Sequence, residues 1–143
     1  MAGALDRIRV GTAPDSWGVW FPDDPRQVPW ERFLDEVAEA GYSWIELGPY
    51  GYLPTDPARL TAALDAYGVQ DLDLTPSHWP LLRDELLARA AEGRTLRLFM
   101  GGEPVPEGTW RELAAERTAG RLEALNLYGP TECTVDTAAT WID

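Results

Sequence analysis

The regular alternation of short apolar runs with helix-like segments most constrains the fold of this chain. Apolar runs that read as strands fall at residues 8–10, 44–47, 69–74, 96–100 and 122–127. Between them, apolar residues recur at the three- and four-residue spacing of a helix, and a glycine follows each helical segment. Strands that alternate with helices in this way indicate a mostly parallel sheet with helical crossovers.

Helix starts are marked by residues that favour the first turn. Pro29, the pair Asp56-Pro57, Ser77 and Pro106 each precede or open a helical segment. We expect the inner faces of the third and fourth helices to hold Leu81, Leu82, Leu86, Leu87 and Ala90, then Trp110, Leu113 and Ala114. The third strand, at 69–74, carries more polar residues than a central parallel strand normally does.

The apolar strand residues predict how many layers the fold has. Because the strands carry apolar residues that look buried on both sides of the sheet, we expect both sides to be covered. These residues are Val10, Ile45, Leu47, Leu96, Leu98 and Met100. This favours a single α/β domain over residues 1–143, a three-layer α/β/α sandwich with a five-stranded, mostly parallel sheet in flavodoxin-like order. An open half-barrel of βα units is the alternative, and residues 134–142 could add an edge strand.

Charge and cysteine content exclude several classes of function. The 143 residues include 24 acidic and 12 basic side chains, all of the latter arginine, so the net charge is −12. Without lysine the chain has no Schiff-base chemistry of its own, and its acidity argues against nucleic acid or an anionic membrane as partner. The single Cys133 predicts a reducing compartment, the cytoplasm, and we expect no cofactor.

Three groups of side chains are candidates for a site. Asp15, Glu46, Glu103 and Glu132 follow predicted strands and could gather at one rim, either as a cation site or as solvated acids. The lone His78 at a helix start has no nucleophile beside it in sequence. Aromatic residues in the first two loops could pack locally, bind a ligand or form a homodimer interface; they are Trp17, Trp20, Phe21, Tyr50 and Tyr52.

Residues from about 8 to 68 resemble one known family. The segments APDSWGVWFPDDP (13–25) and WERFLDEVAEAGYSWIELGPYGYLPTDP (30–57) are similar to the start of inosose dehydratase-like proteins, a branch of the xylose isomerase-like barrels. This resemblance implies a fragment of two βα units from a TIM barrel, which has eight.

Residues from about 71 to 139 resemble a second family. LDLTPSHWPLL, LRLFMGGEPVP and LNLYGPTECTVDTA are similar to the middle of a nonribosomal peptide synthetase adenylation domain. The resemblance implies that Tyr128 packs on adenine, that Gly101 and Gly102 pass close to the nucleotide, that Thr131 touches phosphate and that Glu132 helps hold magnesium. It also implies an amino-acid pocket lined by Met100, Leu127, Val135 and Asp136. The family's phosphate loop, ribose-binding Asp and catalytic Lys are absent from this sequence.

Together the two resemblances predict a chimera. A barrel-like fragment, 1–69, would be joined to an adenylation-domain-like fragment, 70–143, in a recombined or designed scaffold that is not an enzyme and has no catalytic residues. One alternative is a weak adenine-nucleotide-binding module that uses Gly101, Gly102, Tyr128 and Thr131. Another is a remnant sugar or polyol lyase or isomerase.

Overall fold

The computed structural model describes residues 10–94, 96–129 and 138–143. By its internal contacts the chain divides into two compact units, the first ending at Gln70 and the second spanning Asp71–Asp143. Strands and helices alternate along the described chain up to its last two elements, which are both strands.

The described residues of the first unit form two strands and two helices. They are β1 (Gly11–Thr12), α1 (Trp30–Glu39), β2 (Trp44–Glu46) and α2 (Pro57–Ala66), with a 3-10 turn at Pro14–Trp17. Strands β1 and β2 pair in parallel, with Gly11 opposite Trp44. A Cβ atom on Gly11 would lie 2.5 Å from the Trp44 ring, so this pairing requires glycine at position 11.

The two helices of the first unit follow from local sequence. The α1 face that is buried carries Phe33, Leu34 and Val37, which lie at the spacing of one helical stripe. Helix α2 is capped as predicted, since the Asp56 carboxylate accepts a 2.9 Å hydrogen bond from the Arg59 N–H and proline stands in the first turn.

In the part of the second unit that the structure describes there are four strands and two helices. They are β3 (Asp71–Leu74), α3 (Trp79–Ala91), β4 (Arg97–Met100), α4 (Glu107–Thr118), β5 (Glu123–Tyr128) and β6 (Ala138–Trp141). The strand order is β3-β4-β5-β6, with β3, β4 and β5 parallel and β6 antiparallel to β5. Because crossovers between neighbouring parallel strands are right-handed, α3 and α4 lie on the same face of these strands.

The residues that lie opposite one another on β3, β4 and β5 explain why β3 carries polar residues. Leu72, Leu98 and Ala124 lie side by side, and each is at most 1% exposed. The neighbouring row brings together Asp71, Arg97 and Glu123, where the Arg97 Nε lies 3.5 Å from Asp71 and 3.4 Å from Glu123. The buried Asp71 therefore has a cationic neighbour on the adjacent strand, which offsets part of the cost of burying its charge.

The mixed α/β class with a mostly parallel sheet is confirmed. The described residues hold six strands, the five that were predicted and Ala138–Trp141, which lies in the segment 134–142 that could add a further strand. Five of the six residues expected in the sheet core are buried; they are Ile45, Leu47, Leu96, Leu98 and Met100. Val10 is 59% exposed, so the prediction for Val10 was wrong. In β4 the buried residues alternate with half-buried ones, whereas in β3 the consecutive residues Asp71 and Leu72 are both buried, one on each face of the sheet. The flavodoxin-like order and the half-barrel differ at the junction of the two units, and both stay predictions.

Some local predictions were also wrong. Leu81 is 56% exposed, because it lies on the outer side of α3. The 3-10 turn Pro76–His78 precedes α3, and Thr75 caps that turn in the role predicted for Ser77. The first strand begins at Gly11, and residues 8 and 9, where it was predicted to start, lie outside the described part of the chain.

Candidate functional site

A pocket of about 450 Å³ opens where β4 and β5 end in the second unit. Sites of α/β proteins commonly lie at the carboxyl ends of parallel strands, because loops from several strands converge there. The pocket is lined by Gly102, Glu103, Pro104, Val105, Trp110, Asn126, Leu127, Tyr128 and Gly129.

The glycine pair after β4 shapes one side of this pocket. The Gly101 N–H donates a 3.2 Å hydrogen bond to the carbonyl of Leu74, which ties the loop to the end of β3. Gly102 has φ +78°, a left-handed conformation that side-chain-bearing residues rarely adopt. The loop therefore presents backbone to the pocket at a position where a side chain would be strained.

Glu103 is held in place by the turn that precedes α3. Its carboxylate accepts a 3.0 Å hydrogen bond from the Ser77 hydroxyl and a 3.2 Å bond from the Ser77 N–H. The Thr75 hydroxyl lies 2.8 Å from the Ser77 hydroxyl and 3.0 Å from Nδ1 of His78. The Pro76–His78 turn thus anchors the loop that carries Gly102 and Glu103.

His78 takes part in the hydrogen bonds of the turn that precedes α3. Its Nδ1 accepts a 3.3 Å hydrogen bond from the Thr75 N–H, which places a ring proton on Nε2 when the imidazole is neutral. Burial lowers the pKa of His78 below its ordinary value, and the negative charge of Glu103 opposes that shift. The neutral ring is the form that completes the turn.

Two aromatic side chains line the pocket. Tyr128, the last residue of β5, is 68% exposed. Trp110 lies in the first half of α4, and its indole N–H donates a 3.3 Å hydrogen bond to the Asp143 carbonyl. Aromatic faces of this kind can pack against a planar ring of a ligand.

The electrostatics of the pocket do not favour an anion. Among the described residues that line it, Glu103 is the one charged side chain, and it is negative. A ligand here would be held by aromatic faces and backbone groups, while any phosphate it carried would meet a carboxylate.

The residues implied by the adenylation-domain resemblance fall partly on this pocket. Gly102 and Tyr128 line it, and Gly101 adjoins Gly102 in the same loop. Thr131 and Glu132 lie outside the described residues, so their roles stay predictions. Of the implied amino-acid pocket, Leu127 lines this cavity and Met100 is fully buried, while Val135 and Asp136 also lie outside the described part.

Sequence reasoning missed the position of Trp110. It was expected inside the helix packing, but the structure places it half-buried at the pocket. Its place in the first half of a helix that starts near the carboxyl edge of the sheet is the signal that could have indicated this.

The four acidic residues that were predicted to lie together at one edge of the sheet do not all belong to the same unit. Asp15 and Glu46 line a separate pocket of about 250 Å³ in the first unit, together with Trp20. Partial burial raises the pKa of Glu46, and the nearby Asp15 carboxylate raises it further. Glu103 belongs to the second unit, and Glu132 lies outside the described residues. In the part of the chain that the structure describes, no group of three or more ligating side chains could hold a metal ion.

The loop aromatics of the first unit separate into packed and exposed residues. Trp17 packs edge-on against Phe33 at 5.1 Å, and its indole N–H donates a 2.6 Å hydrogen bond to Glu36. Tyr52 is 5% exposed and donates to the Val28 carbonyl, and its burial raises its pKa to about 12.

The other three loop aromatics are exposed: Trp20 is 66%, Phe21 71% and Tyr50 66% accessible to solvent. These three remain available for an interface. Whether they pair with a second copy of the chain stays a prediction.

Two further sequence predictions have partial outcomes. Cys133 lies outside the described residues. Across the described ranges, no helix combines the length and apolar character that a bilayer crossing needs. The predicted cytoplasmic location stays a prediction.

Comparison with known proteins identifies the family. The family described as AMP-binding enzyme matches residues 48–143, which is more than half of the chain. The chain therefore belongs to the AMP-binding enzyme family.

Individual relatives are synthetases and related biosynthetic proteins. The chain is 38% identical over 82 residues to the AMB antimetabolite synthetase AmbE of Pseudomonas aeruginosa, which is 57% of this chain and 4% of that protein. It is 30% identical over 88 residues to a dimodular nonribosomal peptide synthase of Bacillus subtilis, covering 62% of this chain and 3% of the relative. It is 30% identical over 82 residues to the dapdiamide synthesis protein DdaD of Enterobacter agglomerans, covering 57% of this chain and 13% of the relative.

These findings correct two predictions. The expectation of a scaffold without function was wrong, because the family match and the synthetase relatives indicate an adenylation-domain fragment. The expectation that the chain is not an enzyme was wrong for the same reason, since its family is one of enzymes. The nucleotide-binding alternative agrees better with the comparisons. The fusion with a barrel fragment is not shown by them.

Proposed function

We propose that the chain is a nucleotide-binding part of an adenylation domain of the nonribosomal peptide synthetase type. An adenine nucleotide would bind in the pocket at the ends of β4 and β5. The observation that carries this proposal is that Gly102 and Tyr128, which lie in two separate motifs of the matched region, line the same pocket.

Each pocket element has a role in this proposal. The Tyr128 ring packs against the adenine, and the backbone of Gly101 and Gly102 lies close to the nucleotide because no side chain intervenes there. Trp110 offers a second aromatic surface at the same pocket. The contacts of Thr131 with phosphate and of Glu132 with magnesium rest on the family resemblance alone.

Pocket charge predicts an unusual order of affinities for the isolated chain. The Glu103 carboxylate and the net charge of −12 both repel phosphate groups. Without a divalent cation, adenosine should therefore bind at least as tightly as AMP, and AMP more tightly than ATP. We expect dissociation constants in the millimolar range.

A nuclear magnetic resonance titration tests the proposal. Adenosine, AMP and ATP are added separately to ¹⁵N-labelled chain, and we expect saturable shifts of the Gly102 and Tyr128 amides. Replacing Tyr128 with alanine removes the aromatic surface and should weaken adenosine binding about tenfold, since stacking on one aromatic residue contributes about 1–3 kcal/mol.

Tyr50 provides a matched control. It is 66% exposed, against 68% for Tyr128, and it lies in the first unit. Tyr50→Ala should bind adenosine as the wild type does. Shifts that do not saturate, or equal affinity in Tyr128→Ala and wild type, would contradict the proposal.

We also propose that residues 1–69 derive from an inosose dehydratase-like barrel. In support, the division into compact units falls at Gln70, next to the boundary between the two resemblances. The AMP-binding match begins at residue 48, so residues 48–69 lie both in that match and in the segment that resembles the barrel family. Separate origins predict separate unfolding, with amides of α1 and α4 losing their native signals at different urea concentrations. One shared midpoint would count against this origin.

A further inference from the structure

A series of short polar contacts leads from the one histidine of the sequence to the wall of the second unit's pocket. Nδ1 of the His78 ring lies 3.0 Å from the Thr75 hydroxyl, and that hydroxyl lies 2.8 Å from the hydroxyl of Ser77. The Ser77 hydroxyl donates a 3.0 Å hydrogen bond to Glu103, which lines the pocket. A side chain that can change its charge near neutral pH is therefore connected to the pocket.

The turn that contains His78 is closed by a reciprocal pair of hydrogen bonds. The Thr75 side chain accepts from the His78 backbone N–H, and Nδ1 of His78 accepts from the Thr75 N–H at 3.3 Å. This is a capping box in which histidine stands where glutamate or glutamine is usual. The second bond needs an unprotonated Nδ1, because an imidazolium ring carries a proton on both nitrogens. Protonation sets two donors against each other and breaks that bond.

The same turn fixes one wall of the pocket. Ser77, the middle residue of the turn, donates to the Glu103 carboxylate from both its N–H and its hydroxyl, at 3.2 and 3.0 Å. Gly102 precedes Glu103 and also lines the pocket. The Gly101 N–H is bonded to the Leu74 carbonyl, so the loop is attached at its start to β3 and, through Glu103, to the turn. Opening the turn removes the second of these attachments.

The surroundings of His78 favour a neutral ring at neutral pH. Burial of the ring lowers its pKa below the ordinary value, and the negative charge of Glu103 on the neighbouring loop opposes that shift without cancelling it. From α4, Glu112 accepts the indole N–H of Trp79, and it also forms an ion pair with Arg83 of α3. Because these two charges offset each other, Glu103 is the charged group of the described residues that acts on the ring.

We propose that His78 is a positioning residue of the pocket: its neutral ring closes the turn that holds Glu103, and protonation of the ring loosens this wall and weakens the binding of a nucleoside. The inference rests on the nucleotide site proposed above. Affinity should be greatest while the ring is neutral and should fall as the pH drops through the folded-state pKa of His78. Adenosine is the suitable ligand, because the phosphate of AMP would itself be attracted to a charged ring.

A pH titration of the ligand-free chain by nuclear magnetic resonance tests the connection. Because the chain has one histidine, its ring signals report the His78 titration directly. We expect the Gly102 amide to shift with the same midpoint. His78→Gln supplies the usual capping-box side chain, which does not titrate, so this response should disappear. Glu103 and the other carboxylates titrate in both proteins, and the difference between the two therefore isolates the ring.

A second variant separates a change of position from the electric field of the charged ring. Ser77→Ala leaves the ring able to titrate but removes the hydroxyl that bonds Glu103, so the Gly102 response should become smaller. A Gly102 response that is equal in Ser77→Ala and wild type, or absent from the wild type, would overturn the positioning role, whether or not a nucleoside binds.

Adenosine binding measures the effect on the pocket. Since one capping bond is a modest interaction, the affinity of the wild type should fall about fivefold between neutral pH and a pH well below the His78 pKa. His78→Gln should keep its affinity over this range. His78→Ala has no acceptor for the Thr75 N–H and should bind about fivefold more weakly at both pH values. By linkage, saturating adenosine should lower the pKa of His78 in the wild type.

Failure of the nucleotide site and failure of this inference give different results. If adenosine does not bind the wild type at neutral pH, the proposed site is wrong, while the ligand-free titrations still decide the role of His78. If adenosine binds and its affinity depends on pH equally in wild type, His78→Gln and His78→Ala, the nucleotide site stands and the positioning role of His78 is wrong.

Discussion

The ion pair between Glu116 and Arg121 makes stability of the second unit depend on pH. Glu116 is in α4 and its side chain is 10% exposed, while that of Arg121 is 50% exposed. The guanidinium donates two hydrogen bonds to the carboxylate, at 2.6 and 2.9 Å. The hydrogen bond from Arg121 lowers the pKa of Glu116, and burial partly opposes this.

Replacing Glu116 with glutamine removes the charge and keeps the side-chain size. Exposed pairs contribute about 0.2–1 kcal/mol, and two-point geometry places this pair near the upper end, so we expect a loss of about 1 kcal/mol at neutral pH. The pKa of Glu116 is lower in the folded chain than in the unfolded chain. The ion pair therefore stabilises the fold fully at pH values above the ordinary pKa of glutamate, and this stabilisation is lost as the pH falls through the folded-state pKa. Once the pH is well below the folded-state pKa of Glu116, the variant and the wild type should be equally stable.

Urea unfolding, followed by the amide signals of α4, measures this effect. At neutral pH the midpoint of Glu116→Gln should fall by about 0.5 M. Glu107→Gln is the control, because Glu107 and its partner Arg111 are 80% and 75% exposed, and its midpoint should barely change. A difference between Glu116→Gln and wild type that is the same at neutral and acid pH would refute the electrostatic explanation.

Two further predictions concern the core and the first-unit pocket. Leu98→Ala should lower the free energy of unfolding by about 2–5 kcal/mol, because Leu98 is fully buried in β4. Leu81→Ala, at an exposed site, should lower it by less than about 0.5 kcal/mol, and equal losses in urea unfolding would contradict this packing. Asp15→Asn should lower the pKa of Glu46 toward its ordinary value, whereas Asp23→Asn should leave that pKa as it is in the wild type; ¹³C titration of the Glu46 carboxyl group measures both. An unchanged pKa in Asp15→Asn would mean that burial alone causes the shift.

Only those residues of the candidate site that lie in recognisable sequence motifs were predicted. Gly102 and Tyr128 follow from the family resemblance, because each lies within a short specific segment. The hydrogen bonds between Ser77 and Glu103 were not predicted, since they join residues 26 positions apart. The pocket position of Trp110 was missed because helical periodicity cannot distinguish a core residue from one at the end of the sheet.

The sequence by itself determined the α/β class, the helix starts such as Asp56 and the apolar face of α1. These depend on hydrogen bonds and spacings within a few residues, which composition and order specify directly. The tertiary structure decided that Trp17 and Tyr52 pack inside while Trp20 stays exposed, although all three are aromatic residues in loops. It also paired Asp71 with Arg97, because strand register brings distant residues together and the linear pattern of either strand does not contain that register.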